Sequence, residues 1–145
     1  MSQIIRKFAN YITLINSIDF LFPYMNQPET KDTLEMIIEG LRDRKGRDIT
    51  ILDLNDVDSA PARTFVIASG TSTMHVSSLA DNVREHLLEE ARVKPYNYDG
   101  YGASSWIVID YGEIMVHVFL PETRMRYDLE SLWSDARITR LPDEL

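Results

Sequence analysis

The chain contains no cysteine among its 145 residues, which excludes disulfide staples, thiol nucleophiles and cysteine-ligated zinc. Glycine and proline are sparse at six each, so collagen-like and low-complexity disordered architectures are excluded too. Positive charge is the scarcer sign: 15 Lys and Arg against 23 Asp and Glu leave a formal net charge of −8 and a pI near 4.8. That balance disfavours direct binding to a phosphate backbone, where a clustered basic footprint is expected, and it permits a basic protein partner. No Gly-Lys-Ser/Thr triplet occurs, so a Walker phosphate loop is absent. What remains, 44% hydrophobic and 26% charged, fits one globular domain of a length that buries roughly two-thirds of its unfolded surface.

The most apolar stretch lies at the start. Ile4, Ile5, Phe8, Ile12, Ile15, Ile18, Phe20, Leu21 and Phe22 follow or flank Arg6 and Lys7. Asn10, Asn16 and Asp19 interrupt it, and no small-x-small cleavage pattern precedes Pro23, so neither a signal peptide nor a spanning helix fits. Residues 1–24 are expected to be an N-terminal extension, either a helix docked on the domain or sequence upstream of a translation start at Met25. The domain itself is expected over 25–136, with a loosely held polar tail over 137–145. No membrane contact is expected.

From Pro28 the pattern becomes regular. Leu34, Ile37, Ile38 and Leu41 recur at helical spacing, with Pro28 suited to the first turn and Gly46 to the end. Ile49, Ile51, Leu52 and Leu54 predict a strand, and Thr64–Ser69 reads as a buried central strand. A second helix follows at once, capped by Thr71 or Ser72, with Val76, Leu79, Ala80, Val83 and Leu87 on one face. After a Tyr- and Gly-rich loop, Trp106–Tyr111 and Ile114–Leu120 predict a tight hairpin, and Pro121–Trp133 reads as short helical turns. This order implies an α/β fold in which helices flank a mixed β-sheet.

Few residues here carry chemistry on spacing alone. The turn Gly70-Thr71-Ser72 opens a helix, where free N–H groups could hold an anion, yet any strand-to-helix turn needs a flexible residue and a cap. A glycine-serine turn of this kind also occurs in the nucleotidyltransferase fold, which needs paired metal-binding carboxylates on a following strand. Only Asp110 stands on such a strand, because Asp81 lies on the predicted helix, so the catalytic pair is missing. Gly100 and Gly102 precede a strand and make no dinucleotide fingerprint. His75, His86 and His117 match no metal-ligand spacing, and Ser104 or Ser105 with His117 and Asp110 lacks a nucleophile elbow. No catalytic residue, metal or cofactor is therefore assigned.

The hairpin is more informative. With Tyr111 and Gly112 as a two-residue turn, Asp110 faces Glu113, Val108 faces Met115 and Trp106 faces His117. Alternation then sends Ile107, Ile109, Ile114, Val116 and Val118 to one face, and Trp106, Asp110, Met115, His117 and Phe119 to the other. The second face mixes aromatic, sulfur, imidazole and carboxylate groups, as a protein-binding hot spot does. The alternative is that helices cover both faces and Trp106 is simply packed.

Lys45-Gly46 before Asp48-Ile49, the run F-V-I-A-S-G-T-S with His75-Val76 and Ala80-Asp81 after it, Asp99-Gly100, W-I-V-I-D-Y-G-E-I-M-V-H-V-F, and R-x-x-Y-D-L-E-x-L-W ending at Trp133 resemble the ribosomal silencing factor (Iojap-like, RsfS) family. The likeness spans roughly residues 30 to 136. It implies a nucleotidyltransferase-like fold without catalysis. It also implies a cytoplasmic translational repressor that binds a basic protein of the large ribosomal subunit, on the face that meets the small subunit, and blocks subunit joining under starvation. Direct nucleic-acid contact is not the main one expected. Carried over position by position, the partner-binding residues are Trp106, Asp110, Tyr111, His117 and His75, with Trp106 as the anchor. Tyr127, Leu129, Glu130 and Trp133 match the terminal signature. Met74 stands where Arg is common, and Asp99 replaces a Glu. Two other readings remain, a nucleotide-handling enzyme using the Gly70 turn and a homodimeric adaptor joined through the hairpin or exposed strand edges.

Overall fold

The computed structural model describes residues 30–144, so the expectations for residues 1–24, the Met25 start and Pro28 lie outside the described residues. Helix α1 (Thr30–Asp43) buries Ile37 and Leu41 and ends at Lys45, which takes the left-handed conformation at φ 59°. The amides of Lys45 and Gly46 then return to the carbonyls of Arg42 and Leu41, closing the helix end. Strands β1 (Arg47–Asp53) and β2 (Thr64–Ser69) follow, then helix α2 (Thr73–Ala91), β3 (Asn97–Asp99), β4 (Trp106–Asp110) and β5 (Ile114–Phe119). Short helices α3 (Pro121–Tyr127) and α4 (Leu129–Leu132) lead into β6 (Arg137–Arg140).

The six strands form one sheet in the order β3-β4-β5-β2-β1-β6. Only β2 and β5 run parallel, and every other neighbour is antiparallel. The mixed sheet flanked by helices is the α/β class expected. All six residues of β2 are buried, as befits a strand with neighbours on both edges and cover on both faces.

Two cores sandwich the sheet. On the first face, Val66, Ala68, Ile107, Ile109, Ile114, Val116 and Val118 meet Ile37 and Leu41 of α1 and Val76, Leu79, Ala80, Val83 and Leu87 of α2. On the second, Leu52, Phe65, Ile67, Trp106, Val108, Met115 and Phe119 meet Leu54, Ala62, Leu129 and Trp133. The apolar positions singled out on α2 are the ones its helical period buries.

Two expectations need correction. The hairpin turn is Gly112-Glu113, not Tyr111-Gly112: the Tyr111 amide donates to the Ile114 carbonyl, and Gly112 takes φ 87°, which side-chain-bearing residues rarely adopt. The register therefore pairs Asp110 with Met115, Val108 with His117 and Trp106 with Phe119. Because the slip is an even number of residues, each side chain keeps its face. The tail is not loose: Arg137–Arg140 pairs with Thr50–Asp53 of β1. Its polarity reflects an edge strand exposed on both faces, not absence of structure.

Candidate functional site

The second sheet face carries most of the residues expected to bind a partner, and it carries them indoors. Trp106 is 4% exposed, while Asp110 and His117 are fully buried. The Trp106 indole stacks on Phe119 at 4.8 Å and lies beneath the Tyr127 ring, also 4.8 Å away. Its Nε1–H donates to His117 Nδ1 at 3.1 Å. Since an indole can only donate, the imidazole proton sits on Nε2, which is buried and without a hydrogen-bond partner. Burial pushes the His117 pKa down to about 3, so the ring is neutral. Phe65 packs edge-on against both His117 and Trp133, completing the layer.

Asp110 ends β4 on this same face. One carboxylate oxygen accepts from the Gly112 amide at 2.7 Å and so holds the turn, whereas the other is buried without a partner. Burial pushes its pKa up to about 6, against the lowering effect of that amide. Tyr111 belongs instead to the first face, where it packs against the helix-covered core with its hydroxyl buried. Burial raises its pKa.

His75 serves the start of α2. Its Nδ1 accepts from the Thr71 amide at 2.9 Å and its Nε2 lies 2.7 Å from the Arg44 carbonyl, so the imidazole ties the Gly70 turn to the end of α1. Ser72 is the N-cap, accepting from the His75 amide. The turn amide that an anion would use is thus engaged by the chain itself. Gly70 is there for room, since a Cβ would come within 2.9 Å of both the Val76 amide nitrogen and its Cγ2.

The remaining candidates are not brought together. Asp81 is exposed on α2 beside Arg84, on the opposite side of the sheet from the face that Asp110 shares with Trp106. His86 pairs with Glu39 of α1 at 3.0 Å, far in role from His117. The Ser104 hydroxyl donates to the Tyr101 carbonyl, and His117 Nδ1 is taken by Trp106, so no Ser-His-Asp relay is wired. Among the described residues, no helix is long and apolar enough to cross a membrane.

What covers the second face was less legible. α3 buries none of its residues, and α4 buries only Leu129. Together they leave Met125 81%, Tyr127 42% and Leu132 48% exposed. Arg124 holds this cover in place: Nε and Nη2 donate to Glu130 Oε1 (3.0 and 2.8 Å), Nη1 to the Asp48 carbonyl (2.8 Å) and Ser69 Oγ (3.0 Å), and Nη2 to Thr50 Oγ1 (2.9 Å). Met125 and Arg124 were not singled out above, because an exposed Met and a surface Arg carry no signal until their neighbours are known. The R-x-x-Y-D-L-E pattern at 124–130 was the one clue, and the structure gives its Arg and Glu a shared task.

Fold and site define a small mixed α/β domain whose aromatic second face is capped by two short helices. The family described as "Ribosomal silencing factor during starvation" matches residues 27–144, and the chain belongs to that family of ribosome-associated regulators. It is 37% identical over 105 residues to the ribosomal silencing factor RsfS of Chromobacterium violaceum, covering 72% of this chain and 84% of that one. It is 34% identical over 108 residues to the mouse protein named mitochondrial assembly of ribosomal large subunit protein 1, covering 72% of this chain and 46% of the mouse protein. A crystal structure of a Chromobacterium violaceum protein superposes with a TM-score of 0.68 at 36% identity, covering 73% of this chain and 87% of that one.

Proposed function

We propose that this protein binds the free large ribosomal subunit through a basic ribosomal protein on the intersubunit face and sterically blocks small-subunit joining. Binding withdraws large subunits from association by mass action, which represses translation under starvation. The observation that carries this reading is the α3–α4 cover, which holds Met125, Tyr127 and Leu132 in solvent above a packed aromatic layer. Large apolar side chains on a rigid base are what a partner's anchor pocket accepts. The net charge of −8 favours a basic protein over rRNA as the contact and speeds encounter at low salt.

On this reading the cytoplasmic protein acts without catalysis or cofactor, on a nucleotidyltransferase-like framework. Separation of Asp81 from Asp110 by the sheet supports that assignment. Trp106 and His117 support the partner surface from beneath Tyr127, and Asp110 and Tyr111 hold the adjoining hairpin. His75 keeps the start of α2 in place at its border.

The test is co-sedimentation with separated ribosomal subunits, with small subunits added afterwards. Wild type is expected to pellet with large subunits alone and to lower their joining, and a Met125→Asp/Tyr127→Ala variant to do neither while remaining folded. Absence of wild-type protein from the large-subunit pellet at both low and moderate salt refutes the reading.

A further inference from the structure

We infer that Arg124 is the positioning residue of the partner face, a guanidinium clasp that sets where Met125, Tyr127 and Leu132 stand. The assignment rests on the proposed contact of that face with the large subunit. Three observations carry it. First, α3 has no buried residue, and its ring contact with the sheet layer, Tyr127 on Trp106, leaves Tyr127 42% exposed, so apolar packing alone holds it weakly. Second, the Arg124 side chain is only 11% exposed and bonds on both sides of the gap: to Glu130 of α4 within the cover, and to Asp48, Thr50 and Ser69 on the sheet. These contacts use all five N–H donors of the guanidinium, leaving none for a ligand.

Third, the place where the clasp lands is itself fixed. Asp48 has φ 50°, at the bulge where the β1–β2 register shifts, and its amide donates to Asp143 Oδ1 beyond β6. The Asp48 carbonyl that receives Arg124 is therefore aimed by the bulge and the C-terminal segment together. Thr50 Oγ1 and Ser69 Oγ come from adjacent strands, so with the Asp48 carbonyl the guanidinium meets the sheet at three points. Asp128, with φ 44°, joins α3 to α4 and accepts from the Ser131 amide, making the two helices one bent unit. Arg124 and Glu130 pin that unit at both of its arms.

Lysine keeps the charge but cannot make a planar five-point contact. The test compares wild type, Arg124→Lys and Glu130→Gln as full-length chains by amide hydrogen exchange, thermal unfolding and large-subunit co-sedimentation. Expected for Arg124→Lys is exchange about tenfold faster across residues 121–133, unchanged exchange in β2, β4 and β5, and large-subunit binding about tenfold weaker. Glu130→Gln, which keeps an acceptor but loses its charge, is expected to fall between the two. Unchanged exchange at 121–133, or faster exchange with wild-type binding, overturns the assignment. Should Arg124→Lys fail to fold, Glu130→Gln decides by the same criteria. Failure of wild type itself to bind large subunits removes the partner face and the assignment with it, whereas the exchange data show separately whether the clasp exists.

Discussion

The indole of Trp106 donates to Nδ1 of His117 across 3.1 Å inside the second core, so that one bond fixes the tautomer of the only fully buried histidine among the described residues. Its first consequence concerns stability. Trp106→Ala removes a stacked ring and orphans the imidazole acceptor, and is expected to cost about 3–5 kcal/mol in urea unfolding. Trp106→Phe keeps a ring against Phe119 and Tyr127 but loses the hydrogen bond and part of the buried ring volume, which predicts an intermediate loss of about 2–3 kcal/mol. A stability for Trp106→Ala equal to wild type contradicts the packing described.

His117 makes stability pH-dependent. Its native pKa of about 3 lies below the ordinary 6.5, so the unfolded chain takes up the proton first on acidification. The contribution is present above pH 6.5 and is lost as pH falls toward 3. His117→Asn keeps an acceptor for the indole and cannot titrate. Relative to the variant, wild type is expected to lose on the order of 3 kcal/mol between pH 7 and 4, measured by denaturant midpoints at each pH.

Asp110 works in the opposite direction. Its native pKa of about 6 lies above the ordinary 3.8, so the folded chain holds the proton more tightly. That contribution is full below pH 3.8 and is lost as pH rises through 6, leaving a buried carboxylate with one unpartnered oxygen. Asp110→Asn retains an acceptor for the Gly112 amide. The difference between variant and wild type is expected to move in the variant's favour by on the order of 2–3 kcal/mol from pH 4 to pH 7. A pH-independent difference contradicts the assignment.

Deletion of residues 137–145 tests the sixth strand. It removes the β1–β6 ladder, the Leu141–Ile49 backbone bond and the Asp143 acceptor on the Asp48 amide. A thermal midpoint lower by at least about 8 °C is expected, corresponding to roughly 2 kcal/mol in a domain of this size. No change at all would return this segment to the status of a tail.

Periodicity alone located α1, α2 and the central strands, since three-and-four spacing and apolar runs are local signals that burial merely completes. Face alternation in the hairpin was equally legible: Ile107, Ile109, Ile114, Val116 and Val118 share one core as their parity required. The turn itself was not. Tyr111-Gly112 and Gly112-Glu113 both place a glycine in the turn, and only the cross-strand pairing and the Asp110 contact with the Gly112 amide choose between them.

β6 was hidden because R-I-T-R has no buried face and owes its conformation wholly to β1. Burial of Trp106 was left open for a related reason: parity says which face a side chain takes, not what lies over it. That depends on where α3 and α4 come to rest, and Arg124 bonds them to Asp48, Thr50 and Ser69, residues distant in sequence that become neighbours only in the folded sheet. The local pattern thus dictated α1, α2, β1, β2 and the hairpin strands, the charge and the division of the hairpin side chains between two faces, because spacing and composition are properties of the chain. Which side of the aromatic layer meets solvent, and which cation holds its cover, were decided by tertiary contacts, because buried hydrogen bonds form only between groups that folding has already brought together.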